Sequence, residues 1–269
     1  MRARDKAVAV FDSGVGGLTV FRALRRALPG ERLLYFGDTA RVPYGSKSPE
    51  TVTRFSLEVG GFLCRRDIKL LVVACNTASS LALPALMDSL PVPVLGVIEP
   101  AARAAARASR TRIVGVIGTE ATVASQAYQR ALKRFLPGAR VRVAACPLLV
   151  PLVEEGWWSH PVTRSVAAHY LERLKGGAMD VLILGCTHYP ILKPLLQRLA
   201  GRRVRLIDSA RETARAAAAL LGARGLLRPG RRGGAEFFVT DGPERFLRLA
   251  RRFLGDGSVR RARVVRFLG

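Results

Sequence analysis

VVACNTAS, residues 72–79, and LILGCTHYP, residues 182–190, decide the fold. Each is an apolar run that ends on a cysteine, passes through a polar residue or threonine, and continues into a helical stretch. A run that is apolar throughout, with no alternation, is a strand buried on both faces, as in a parallel sheet covered by helices. A similar echo links FDSGVGG at 11–17 and VIGTEAT at 116–122, each following a strand one cycle earlier. The repetition predicts two similar domains that face one another, each contributing one cysteine.

Working outward, the same alternation runs along the chain. Val-, Ile- and Leu-rich runs at 7–11, 33–36, 70–74, 94–97, 113–117, 141–145, 181–184 and 204–207 read as strands. Amphipathic stretches at 18–27, 51–64, 78–87, 100–108, 125–135, 162–174 and 190–199 read as helices. The predicted class is α/β: two domains with mostly parallel sheets flanked by helices, and an active site in the cleft between them. Beyond Asp208 come an Ala-rich helix at 211–221, Gly-Arg-Pro punctuation at 227–234, a strand at 236–240, a helix at 243–253 and a short strand at 264–267. This last segment is expected to return to the first domain. Residues 1–98, completed by 209–269, then form one domain, and 99–208 the other.

Polar signals cluster just after strands: Asp12-Ser13-Gly14, Gly37-Asp38-Thr39, Cys75-Asn76-Thr77, Gly118-Thr119 and Cys186-Thr187-His188. Ligands of open α/β sheets bind outside the carboxyl ends of the strands, so these loops are candidate site loops. Gly14-Val15-Gly16-Gly17 lacks the last glycine of GxGxxG, and no GK[ST] follows, so neither nucleotide fingerprint is met. It reads as a tight turn that exposes Asp12 and Ser13 and lets backbone N–H groups approach a carboxylate, or as a turn and nothing more.

The four cysteines, Cys64, Cys75, Cys146 and Cys186, contain no CxxC pair, which argues against a zinc ribbon or a thioredoxin motif. Four in 269 residues do not make a disulfide scaffold. A buried small hydrophobe is a common fate of free cysteine. Cys64, in an amphipathic helix, and Cys146, before Pro147, fit that reading. Cys75 and Cys186 differ: each sits at a strand-to-helix junction, where the helix dipole can stabilise a thiolate, with hydrogen-bonding neighbours beside it. A metal site of Cys75, Cys186 and His188 is the alternative, without spacing to support it. Tyr44-Gly45 is placed to cover a ligand. Glu154-Glu155 is an acidic pair in a basic chain: a solvated pair, or a carboxylate that tunes Cys186 or holds an ammonium group.

The formal charge is +24, from 44 basic and 20 acidic residues. Such a balance suggests a nucleic-acid or other polyanion partner. No nucleic-acid module accompanies it, and an Arg-rich solvated surface is the favoured reading. The N-terminal residues do not make a signal peptide and the apolar stretches are too broken to span a membrane. A cytoplasmic protein with free thiols is expected.

FDSGVGGL, YFGDTARVPYG, ACNTAS, GVIEPA, GVIGTEATVAS and LGCTHYP, in that order between Phe11 and Pro190, resemble the glutamate racemase family within the aspartate/glutamate racemase superfamily. The resemblance implies two α/β domains with Cys75 and Cys186 as catalytic thiols in the cleft. It implies that Asp12, Ser13, Tyr44, Gly45, Asn76, Thr77, Thr187 and His188 bind substrate, and that Asp12, Glu154 and His188 assist proton transfer. It further implies no cofactor, no metal, a homodimer, and L- and D-glutamate as substrates, with D-glutamate supplied to peptidoglycan. The superfamily's aspartate racemases typically carry Glu where His188 follows Cys186-Thr187, so the resemblance favours glutamate. A pyridoxal-phosphate racemase is the enzyme rival, but no lysine here has a motif to recommend it.

Overall fold

The computed structural model describes residues 2–230 and 233–267; Arg231 and Arg232, within the punctuation expected at 227–234, lie outside the described residues. Among the described residues ten strands form two sheets. They are β1 (Ala7–Asp12), β2 (Leu33–Gly37), β3 (Ile68–Val73), β4 (Val94–Gly96), β5 (Ile113–Gly118), β6 (Arg140–Ala145), β7 (Val181–Gly185), β8 (Arg205–Asp208), β9 (Ala235–Val239) and β10 (Arg263–Val264). The first sheet has the order β10-β9-β2-β1-β3-β4 and the second β6-β5-β7-β8. Every pairing is parallel. The expected "mostly parallel" sheets are thus parallel throughout the described residues.

Parallel neighbours need a crossover, and helices supply it. They are α1 (Leu18–Ala27), α2 (Pro49–Cys64), α3 (Asn76–Leu81), α4 (Leu83–Ser89), α5 (Ile98–Ala108), α6 (Glu120–Ala124), α7 (Ala127–Phe135), α8 (Leu149–Glu154), α9 (Pro161–Glu172), α10 (Lys193–Ala200), α11 (Ser209–Ala223) and α12 (Pro243–Leu254). Central strands β1, β2, β3 and β7 are buried at every position, which is why their sequences carry no alternation. Successive side chains of β1 point to opposite faces. Val8 and Val10 enter a core shared with Val114 and Leu182 of the second sheet. Ala9 and Phe11 enter a second core, with Val52, Val59 and Phe62 of α2.

Where the structure departs from the expected boundaries, local chemistry explains it. The single helix expected at 78–87 is two helices, broken at Ala82, with Pro84 in the first turn of the second. Proline has no N–H to continue the first helix and suits a helix start. The first of the pair begins earlier than expected, because Cys75 caps it. α2 likewise starts at Pro49, ahead of the expected 51, because Ser48 accepts the Thr51 N–H. The helix expected at 125–135 is preceded by the short α6, capped by Thr119, and the two are separated at Gln126, where φ is 54°. The short α8 was not expected. The terminal strand expected at 264–267 shrinks to Arg263–Val264, both exposed, while Phe267 packs on the rings of Phe36 and Phe62.

One buried ion pair ties the first sheet to the chain that returns to it. Lys69, on β3, lies 2.5 Å from Glu31, with both side chains almost wholly buried. Its ammonium also donates to the carbonyls of Arg4 (2.6 Å) and Leu226 (2.8 Å). Glu31 accepts the Arg228 N–H at 2.8 Å. Removing one partner of a buried pair leaves an uncompensated charge, at a cost of about 3–5 kcal/mol. Urea unfolding of Lys69→Met should show a loss of that order. The double change Lys69→Met/Glu31→Gln should lose less than the single one.

Candidate active site

The two sheets present their carboxyl ends to one cavity. In the first, Asp12 pairs with Gly37 and Phe11 with Val73, so β1, β2 and β3 finish level. In the second, Gly118 is level with Ala145 and Gly185. The loops that follow line a single cavity, and ten of the expected site residues are in its wall: Ser13, Tyr44, Gly45, Cys75, Asn76, Thr77, Glu154, Cys186, Thr187 and His188. Asp12 is the exception. It is fully buried and outside the lining, with one carboxylate oxygen bound by the Gly14 N–H at 3.0 Å. The close turn explains the glycines around it. A Cβ on Gly17 would lie 2.4 Å from the Asp12 side chain, and one on Gly16 2.3 Å from the Thr187 hydroxyl.

Thr119, in a loop expected to belong to the site, also lines the cavity, as does Val150, which the sequence reading did not single out. Thr119 carried a signal, since it follows a strand as the cysteines do. Its hydroxyl lies 2.9 Å from that of Thr77, joining loops of the two sheets. Val150 belongs to α8, whose existence the sequence pattern did not disclose.

The two thiols stand in different surroundings. Cys75 caps α3: its sulfur accepts the Ala78 N–H at 3.5 Å, and its S–H reaches the Ser13 hydroxyl at 3.5 Å. Burial, and then the nearby Asp12 charge, push the Cys75 thiol up to about 12 despite those two contacts. The helix end therefore does not by itself supply a thiolate here, contrary to the expectation from position alone. Burial also raises the Asp12 carboxyl, partly offset by His188.

Cys186 faces a cation. Its sulfur lies 3.8 Å from Nδ1 of His188, and Nε2 of the same ring lies 3.2 Å from Glu154. Arg245 of α12 donates to the other Glu154 oxygen at 3.1 Å. Burial alone would lower His188, but its hydrogen bonds to Cys186 and Glu154 outweigh it and raise the imidazole to about 10. Burial would raise Glu154, yet His188 and Arg245 hold it below its ordinary value. The edge of Phe253 closes the other side of the imidazole, 5.6 Å between ring centres. Arg245 had no individual signal among the many C-terminal arginines.

Polar groups complete the wall. Asn76 accepts the Tyr128 hydroxyl at 2.7 Å, while its buried amide nitrogen has no partner among the described residues. Tyr44 lines the cavity with its ring, because its hydroxyl is already given to Asp38. Cys64 and Cys146 stay outside the cavity, as expected of packing residues; Cys146 is buried and Cys64 half-buried. Among the described residues no group of three or more His, Cys, Asp or Glu is placed to hold a metal ion.

Two strand-end thiols, one from each sheet, thus line one cavity, each with its own polar neighbours. The family model described as Asp/Glu/Hydantoin racemase matches residues 16–217. A glutamate racemase of Geobacter metallireducens is 56% identical over 251 residues, covering 93% of each chain. Among solved structures, the glutamate racemase of Thermus thermophilus in complex with β-chloro-D-alanine superposes with a TM-score of 0.88 at 52% identity, covering 98% of both chains. That of Francisella tularensis in complex with D-glutamate gives 0.90 at 34% identity, covering 97% of this chain and 98% of that one. The chain belongs to this racemase family, and within it to the glutamate racemases.

His188 offers a direct check on the site's electrostatics. In the free protein the imidazole should keep its proton until about pH 10, read from its ring-nitrogen shifts by NMR. Glu154→Gln should bring that value down. Because the folded value lies above the ordinary 6.5, the stability this group contributes is complete below about pH 6.5 and is lost as pH rises through about 10.

Proposed function

We propose that the protein interconverts L- and D-glutamate without a cofactor, with Cys75 and Cys186 as its two proton-transfer groups. The observation that carries this reading is the pair of cysteines at the carboxyl ends of β3 and β7, one from each sheet, in the wall of one cavity. Racemisation removes the α-proton from one face of the carbon and returns a proton to the other. A single base would have to move, or the substrate rotate. Two thiols on opposite faces avoid both: one acts as thiolate, the other as thiol, and they exchange roles with direction. Following the family resemblance, Cys75 takes the proton from D-glutamate and Cys186 from L-glutamate.

The α-proton is a very weak acid. Positioned acid–base catalysis contributes roughly 10²–10⁴-fold, so the site must also stabilise the carbanion electrostatically and exclude water. Hydroxyls of Ser13, Thr77 and Thr187 and the unpartnered amide of Asn76 suit the substrate's carboxylates. A buried ammonium beside Cys75 answers its problem: a positive charge entering the cavity favours thiolate over thiol. Asp12 acts from below, through Cys75 and the ammonium rather than as part of the lining. On the other side, protonated His188, held by Glu154, lies beside the Cys186 sulfur and complements negative charge there. Gly45 lets the loop come close: a Cβ there would lie 2.8 Å from Thr119.

The wider setting follows the same reading. D-glutamate made here feeds peptidoglycan. Four free cysteines suit a reducing cytoplasm. No helix among the described residues is long and apolar enough to cross a membrane. The active unit is a homodimer, and each subunit divides into residues 1–98 with 209–269, and 99–208. The membership of β9 and β10 in the first sheet supports that division.

The test is turnover in heavy water. Early in the reaction, deuterium should enter the product enantiomer with little in recovered substrate. Equal early labelling of both enantiomers would overturn the two-base scheme. Cys75→Ala and Cys186→Ala should each lower kcat/KM by at least the ~10²-fold of one acid–base group, whichever enantiomer is supplied. Undiminished turnover in either variant removes that thiol from the mechanism.

A further inference from the structure

One side chain from the helices of the second sheet reaches a loop of the first. Tyr128 lies on α7, between β5 and β6. It is almost wholly buried, in the core that the two sheets share. Its ring packs on the end of β7: a Cβ on Gly185, the residue before Cys186, would lie 3.0 Å from it. Its hydroxyl crosses to the first sheet and donates to the side-chain carbonyl of Asn76 at 2.7 Å. Asn76 follows Cys75 and lines the cavity, whereas Tyr128 does not. Tyr128 therefore touches the chain beside each thiol without facing the cavity itself.

A phenylalanine ring would fill the same space, so packing does not explain the hydroxyl. Its effect falls on Asn76. An amide can turn its oxygen or its nitrogen to a neighbour, and the two ends act oppositely on an anion. Burial, and then the nearby Cys186, raise the Tyr128 phenol above its ordinary value, so the hydroxyl keeps its hydrogen. Among the described residues the Asn76 oxygen is the one acceptor that hydrogen has. Turning the amide over would leave a buried donor unmet, which is costly. The Asn76 carbonyl is thus fixed toward Tyr128, and the nitrogen is left for the cavity side. That nitrogen is buried and has no partner among the described residues. The next residue shows the contrast. Thr77 is also met from the second sheet, by the hydroxyls of Thr119 at 2.9 Å and Thr122 at 3.4 Å. A hydroxyl rotates to suit its ligand, but an amide must be set by a neighbour.

We propose that Tyr128 is a positioning residue for substrate: by holding the Asn76 carbonyl it presents the Asn76 amide N–H groups to a carboxylate of glutamate. This rests on the glutamate racemase reading proposed above. An ionised carboxylate only accepts hydrogen bonds, so an amide nitrogen matches it and an amide oxygen repels it. The Tyr128 hydroxyl thus selects which of the two the substrate meets. Without it the Asn76 side chain is free to turn, and the donor is no longer held ready. A carboxylate is bound before and during proton transfer alike, so the loss falls on KM more than on kcat. The bond also joins α7 to the loop after β3, so the donor is in place only while the two sheets' loops are together.

The experiment is steady-state kinetics of the full chain with L- and D-glutamate, on Tyr128→Phe, Asn76→Ala and the double variant. Tyr128→Phe should raise KM at least about fivefold and change kcat less than about twofold. Its melting temperature should fall only by the few degrees of one buried hydrogen bond. In the Asn76→Ala background the same change should have no further effect, because no amide is left to orient. A hydroxyl with a purely structural role would act equally in both backgrounds. Calorimetric Kd values for D-glutamate, which need no turnover, should follow the same pattern. Unchanged KM and Kd in Tyr128→Phe overturn the proposal. So do an equal further loss in the Asn76→Ala background, a loss confined to kcat, or loss of the fold in Tyr128→Phe. A parent chain that neither binds nor turns over glutamate overturns this proposal and the racemase reading together. Normal turnover by the parent and by Tyr128→Phe alike overturns this one alone.

Discussion

Parallel pairing obliges every strand of a sheet to leave by the same edge, and that constraint organises this molecule. The interior strands are buried on both faces, so a polar side chain along their length needs a buried partner, as Lys69 has in Glu31. Chemistry is displaced to the carboxyl ends, where the chain turns toward a helix. Asp12, Cys75 and Cys186 all stand at such ends. With the two sheets turned so that these ends share a cavity, two similar half-sites become one site. The glycines of the β1–α1 turn are part of the same constraint, because the turn comes within van der Waals distance of Thr187 and His188.

Burial then sets the electrostatic problem. A closed cavity strengthens every charge interaction inside it, and it also disfavours a thiolate. The two cysteines meet this differently. Cys75 has only a hydroxyl and one helix amide, and it has a carboxylate for a neighbour, so it rests as a thiol. Cys186 has an imidazolium held by a carboxylate that is itself held by Arg245. That chain begins on α12, within the segment that returns from the second sheet to the first. A pseudo-symmetric fold thus yields an asymmetric site.

Much of this was legible in the sequence, and the reasons are physical. Doubly buried strands announce themselves by unbroken apolar runs, and a cysteine at the end of such a run stands out. The loops at Ser13, Thr77, Thr187 and His188 follow from the same position rule. What stayed hidden depends on distance in space. Nothing in LVPLVEE distinguishes a six-residue helix from a loop, so the way Glu154 reaches His188 was not visible, although the acidic pair was. The break at Ala82 was signalled by Pro84 but overridden by an apolar pattern that continues across it. Asp12 reads as an exposed turn residue because its neighbours are glycines, yet the same glycines allow the turn to close over it.

The abundance of arginine has a structural logic that composition alone conceals. Several guanidinium groups lie over aromatic rings: Arg66 Cζ is 3.3 Å from the ring centre of Phe62, Arg41 4.0 Å from Phe55 and Arg103 4.1 Å from Phe135. A lysine ammonium, compact and strongly hydrated, would not cover those rings in the same way. Arg66 and Arg103 thus act as packing residues, while Arg41 also pairs with Asp38 and Glu58. The arginines that line the crevice between α1 and α11, Arg22, Arg26, Arg211 and Arg215, sit differently. Of these, Arg26 and Arg211 have neither a ring nor a carboxylate to lie against among the described residues, and Arg22 is turned to a backbone carbonyl.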